Sequence, residues 1–110
     1  MHYDVIIVGG SFAGLSAAMQ LARARRKVLV IDSGLPRNRF AAASHGFLGQ
    51  DGRTPAAISA EARRQLAAYP TVTFVDGEAI KAERAENGFL VTQADSRQEA
   101  GRRLVLATGL

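Results

Sequence analysis

Residues 3–32 read YDVIIVGGSFAGLSAAMQLARARRKVLVID. Tyr3–Val8 is an apolar, β-branched run without alternation, which predicts a central parallel strand buried on both faces. Gly9 and Gly10 end it. From Gly14 to Arg26 the pattern changes to a helical period, with Leu15, Ala18, Met19 and Ala22 on one face. Arg23, Arg25, Arg26 and Lys27 gather at the end, where cations offset the helix macrodipole. Val28–Ile31 is a second buried strand, and Asp32 closes it. Strand, glycine turn, helix and strand within about thirty residues make a βαβ unit.

Working outward, residues 33–53 carry Gly34, Pro36, Gly46, Gly49 and Gly52 with little periodicity. A long irregular segment in a compact domain is normally functional or disordered. Thr54 is a good N-cap and Pro55 suits a first helical position, so a helix is expected from Pro55 to about Ala68, ahead of Pro70. Val72–Val75 reads as a third strand. Ala79–Glu83, Gly88–Ala94 and Gln98–Ala100 read as a small antiparallel meander, with Asn87-Gly88 as its hairpin signal. Leu104–Ala107 reads as a last buried strand. The class is α/β.

The 110 residues suit one domain or part of one, 47% apolar and without Cys. No thiolate metal site, dithiol or catalytic thiol is available, and no metal site is expected. No apolar run reaches the roughly 20 residues that span a bilayer, and the N-terminus lacks a signal peptide's basic region, so the expectation is a cytoplasmic protein without membrane contact. The formal charge is +4, with 12 Arg among 14 basic residues. Those arginines are scattered among acids without aromatic interleaving, which argues against a nucleic-acid partner.

Gly9-Gly10-Ser11-Phe12-Ala13-Gly14 stands at the first strand–helix junction, where dinucleotide-binding units carry G-x-G-x-x-G. Gly9 fits the tight turn and Gly14 the close approach of helix to strand. Ser11 replaces the middle glycine; its Cβ narrows the clearance, and its hydroxyl is a possible donor to a phosphate oxygen. The attraction for a pyrophosphate comes from helix N-terminal amides and the positive helix end. Asp32, 18 residues beyond Gly14, suits hydrogen bonds from a ribose and repels a 2′-phosphate. The pattern therefore favours FAD or NAD over NADP. The other reading of Asp32 is a cap on the turn into Ser33-Gly34.

VIIVGGSFAGLSAA, VLVIDSG and the closing LVLATG resemble the N-terminal part of thioredoxin reductases and related pyridine-nucleotide oxidoreductases. Arg37-Asn38-Arg39 and the stretch from Ser44 to Gly52 (SHGFLGQDG) resemble a bacterial subgroup of that family more specifically. The resemblance implies a Rossmann-like FAD-binding three-layer domain of parallel sheet, helices and a small meander. It implies that residues 1–110 are the N-terminal segment of that domain, incomplete without an NAD(P)H domain and a C-terminal FAD-domain segment. By the same resemblance, Gly9, Gly10, Ser11, Phe12, Ala13 and Gly14 would wrap the FAD pyrophosphate. Asp32 and Ser33 would meet the adenosine ribose, and Arg37 and Arg39 the adenosine and phosphates. His45, Gly46, Gln50 and Asp51 would lie toward the ribityl chain and flavin. Gly77, Glu78 and Ala79 would meet the adenine, and Ala107, Thr108 and Gly109 would pass beside the cofactor.

Several of these residues have plainer readings. Arg37 and Arg39 also suit solvated loop charges, and His45 suits a loop histidine as well as an acid–base group. Asp51 suits an Asx-turn, Phe47 and Leu48 a core, and Thr108-Gly109 a strand-end turn. The family implies NAD(P)H as electron donor, FAD as carrier, a disulfide or another small acceptor, and a homodimer in full-length form. No C-x-x-C and no second glycine fingerprint occur in these residues. The alternatives are a standalone adenine-dinucleotide binding module, completed by a partner chain, or a truncated remnant without turnover.

Overall fold

Eight elements follow one another along the chain. They are β1 (His2–Val8), α1 (Phe12–Arg23), β2 (Val28–Asp32), α2 (Pro55–Leu66), β3 (Val72–Asp76), β4 (Ala79–Ala85), β5 (Gly88–Gln93) and β6 (Gln98–Leu106). The computed structural model describes residues 2–34 and 55–108. Its strands form one mixed six-stranded sheet in the order β3-β2-β1-β6-β5-β4. β1 lies between β2 and β6, parallel to both, with Ile6 opposite Leu29 on one side and Leu104 on the other. β3 is parallel to β2 and sets Asp76 opposite Asp32. β5 and β4 continue from β6 in antiparallel fashion.

The unbroken apolar runs of β1 and β2 are explained by what covers each face. Val5, Ile7, Val28 and Val30 pack against Leu15, Ala18 and Ala22 of α1 and Leu66 of α2. Ile6, Leu29 and Ile31 face the other way and pack with Tyr3 and with Val91 of β5. Helices, parallel strands and meander thus form three layers, and β6 carries the chain from the meander back into the parallel strands. Ile6, Ile7, Val28, Leu29 and Val30 are fully buried. Each such side chain contributes about 1.5–3 kcal/mol, so the parallel strands dominate the stability of this fold.

Three local readings are corrected. Gln98–Ala100 and Leu104–Ala107 are not separate strands; Gln98–Leu106 is continuous. It serves two partners in turn: Gln98 to Gly101 pair with β5, and Ala100 to Leu106 with β1. Gly101-Arg102-Arg103, the gap between the two expected strands, belongs to β6: Gly101 is buried, where a Cβ would come within 2.8 Å of Ile6 Cγ1, and both arginines are exposed. Helix α1 starts two residues before Gly14, because Ser11 (φ −68°, ψ 171°) is its N-cap. It ends before Arg26, because Arg25 takes φ +60° and turns the chain out of the helix. The Arg25 and Arg26 N–H groups then donate to Ala22 O and Leu21 O at 2.9 and 3.0 Å. The proposed cap at Thr54 lies outside the described residues.

Candidate functional site

The carboxyl ends of β1, β2 and β3 open on one groove of about 670 Å³. Gly9 forms one side, Asp32-Ser33-Gly34 the middle, and Asp76-Gly77-Glu78-Ala79 the other side, with Thr108 at the end of β6. Parallel packing puts all these strand ends at one edge, which is where open α/β sheets bind ligands. Two backbone bonds fix the rims. Gly9 N–H donates to Ile31 O at 2.8 Å, and Gly77 N–H donates to Asp32 O at 2.9 Å.

The glycine turn is set by close backbone approach. Gly9 has φ +114°, a conformation L side chains rarely adopt, and a Cβ there would meet Ala107 O at 2.5 Å. A Cβ on Gly14 would overlap Gly9 O, so this residue lets α1 rest on the end of β1. Ser11 does different work from the phosphate donation its hydroxyl suggested. Its Oγ–H donates to Ala107 O at 2.7 Å, and the same Oγ accepts from Gly14 N–H at 3.3 Å. The hydroxyl thus caps α1 and pins it to the end of β6. Any attraction for an anion at this end comes from the helix terminus itself.

Asp32 caps a turn and stands in the groove. Oδ1 accepts from Gly34 N–H at 3.0 Å, a turn cap, while the carboxylate also lines the groove. A Cβ on Gly10 would overlap the carboxylate, so Gly10 leaves the space in which Asp32 lies across the glycine turn.

Of the residues assigned from sequence, Gly9, Asp32, Ser33, Gly77, Glu78, Ala79 and Thr108 line this groove. Gly10, Ser11, Gly14 and Ala107 pack around its glycine side. Phe12 instead faces a second, smaller groove between α1 and α2, and Ala13 is exposed. Arg37, Arg39, His45, Gly46, Gln50, Asp51 and Gly109 lie outside the described residues.

Two residues near the groove escaped the sequence reading. Arg63 of α2 donates from Nη2 to Asp32 Oδ2 at 3.0 Å, and its guanidinium stands 4.7 Å from the Phe74 ring centre. No spacing rule links residues 31 apart on different elements. Gln93 of β5 is buried, and neither its Nε2 nor its Oε1 has a hydrogen-bond partner among the described residues. Its amide lies behind Gly77, where a Cβ would come within 2.7 Å of Oε1. A side chain at position 77 would therefore have to displace the Gln93 amide. Among the described residues, no group of three or more His, Cys, Asp or Glu side chains could hold a metal ion. No helix among them is long and apolar enough to cross a membrane.

Residues 3–110 match the model of a family described as pyridine nucleotide-disulphide oxidoreductase. The crystal structure of an oxidoreductase from Agrobacterium tumefaciens is 54% identical, with a TM-score of 0.94, over 99% of this chain and 37% of that one. Thioredoxin reductase aclD of Aspergillus oryzae is 38% identical over 111 residues, which is 98% of this chain and 35% of its own. Thioredoxin reductase tcpT of Claviceps purpurea is 36% identical over 110 residues, or 97% of this chain and 34% of its own. The chain spans about a third of the length of these curated relatives.

Proposed function

The chain belongs to the pyridine nucleotide-disulphide oxidoreductase family, and from that premise we propose that it is the N-terminal segment of an FAD-binding domain. The observation that carries the reading is the Asp32 carboxylate lying in the groove across the Gly9-Gly10 turn, beside the N-terminus of α1. A ribose hydroxyl and a pyrophosphate ask for those two features side by side. The residues present fit the ADP half of FAD: the glycine turn gives the backbone close approach, and the strand ends give a groove long enough to pass from helix terminus to β3.

In this reading Asp32 accepts hydrogen bonds from the ribose, with Ser33 beside it. The amide end of α1 faces the pyrophosphate, and Ser11 keeps that end in place without donating to the phosphate itself. Gly77, Glu78 and Ala79 form the adenine side. Ala107, Thr108 and Gly109 pass beside the cofactor. Arg37 and Arg39 serve the adenosine and phosphates; His45, Gly46, Gln50 and Asp51 serve the ribityl and flavin side. Bound there, FAD would supply the two-electron chemistry that couples NAD(P)H to a disulfide or another small acceptor. The NAD(P)H-binding residues and the acceptor site would belong to protein outside these 110 residues, in a cytoplasmic homodimer.

The test is Asp32→Asn. One of the two acceptor oxygens becomes a donor, and FAD affinity should fall roughly ten- to a hundredfold, the equivalent of a lost charged hydrogen bond of about 1.5–3 kcal/mol. Unchanged affinity in a folded variant would reduce Asp32 to its turn-capping role.

A further inference from the structure

Asp32 and Asp76 are direct partners across the parallel β2–β3 pair. Like charges set opposite one another on neighbouring strands are destabilising. Arg63 of α2 answers this arrangement. Its Nη2 lies 3.0 Å from Asp32 Oδ2 and 3.7 Å from Asp76 Oδ1, and the Phe74 ring, two residues before Asp76 on β3, lies 4.7 Å from the guanidinium. The side chain of Asp32 is only 18% exposed, that of Asp76 90%. The shorter contact is thus also the better shielded one.

We propose that Arg63 is the positioning residue for Asp32 and sets how strictly this groove rejects 2′-phosphorylated adenine nucleotides. The inference rests on the dinucleotide reading above and adds a residue to it. Oδ1 is held by Gly34 N–H and Oδ2 by Arg63, and the Cγ end lies against Gly10. Held at both oxygens, the carboxylate has one orientation. A carboxylate has about four lone-pair sites, so acceptor capacity remains for a ribose hydroxyl. Arg63 has a second, opposing effect. Two carboxylates and one guanidinium leave this corner with one net negative charge. Without the guanidinium the net charge doubles, and so does the repulsion met by a 2′-phosphate.

This gives a signature that packing alone does not. Loss of Arg63 weakens binding of a free-ribose nucleotide and weakens binding of its 2′-phosphate further. The experiment uses the flavin-loaded protein expressed from its complete reading frame. ADP-ribose and 2′-phospho-ADP-ribose displace FAD, and released flavin fluorescence gives an apparent constant for each. In Arg63→Met, ADP-ribose should weaken about fivefold. The ratio of the 2′-phospho constant to the ADP-ribose constant should rise about threefold, in keeping with a partly buried ion pair that solvent still screens. Arg63→Gln keeps a donor for Asp32 and an apolar stem for Phe74 but removes the charge. It should raise the ratio to the same degree with a smaller loss for ADP-ribose, so either folded variant decides the matter. A ratio unchanged in both variants, with the two probes weakened equally, overturns the proposal and leaves Arg63 a helix-docking residue. Failure of the unaltered, folded protein to bind FAD, and of its flavin-free form to bind ADP-ribose, overturns the underlying reading of the groove, and the proposal with it.

Discussion

Gly10 and Asp32 compete for one space: a methyl group on Gly10 would occupy the position of the Asp32 carboxylate. Gly10 does not itself sit at positive φ, so alanine fits its backbone. Gly10→Ala should therefore fold, push the Asp32 carboxylate out of register and weaken FAD binding about tenfold, measured by flavin titration beside a thermal melt. Wild-type affinity in that variant would show that the orientation of Asp32 is unimportant. Gln93 makes the opposite prediction. Its amide is buried without a partner among the described residues, and an unsatisfied buried polar group costs about 1–3 kcal/mol. Gln93→Met keeps the volume and should raise the denaturation midpoint; a lower midpoint would mean the amide is satisfied in solution. Asp32 was legible in the sequence because its distance from the glycines is a local property of a βαβ unit. Arg63 and Gln93 were not, because each owes its place to a contact between distant segments.

At the scale of elements, the two ends of α1 show what periodicity can and cannot reveal. Its apolar face, Leu15, Ala18 and Ala22, is buried as the spacing predicts. Its start is hidden from periodicity because Ser11 occupies the place of a fingerprint glycine and yet is the cap. Its end is hidden too, because arginine is a good helix former and nothing in Arg23 to Arg26 marks a left-handed residue. Arg25 nevertheless adopts φ +60°. An L residue in that conformation is strained by roughly 1–2 kcal/mol, so Arg25→Gly should stabilise the fold by about 1 kcal/mol in a urea titration. A loss of stability would place the helix end elsewhere. β6 teaches the same lesson for strands. Its charged middle hid its continuity, although one strand could satisfy both β5 and β1.

For the whole molecule, the layered α/β architecture was legible because the buried strands lack alternation, and only a sheet covered on both faces permits that. How the meander closes the second face was less so, since Val91 reaches Ile6, Leu29 and Ile31 only through the fold. The same layering gathers Gly9, Asp32 and Gly77 from three strand ends into one groove, and the central claim is that this groove holds the ADP half of FAD. The most direct measurement is the visible absorption spectrum of the protein expressed from its complete reading frame and freed of unbound small molecules. The account predicts a flavin band at about 450 nm, stoichiometric with protein and diminished in Asp32→Asn. A folded protein that is colourless, and that stays colourless after incubation with excess FAD and desalting, would contradict it.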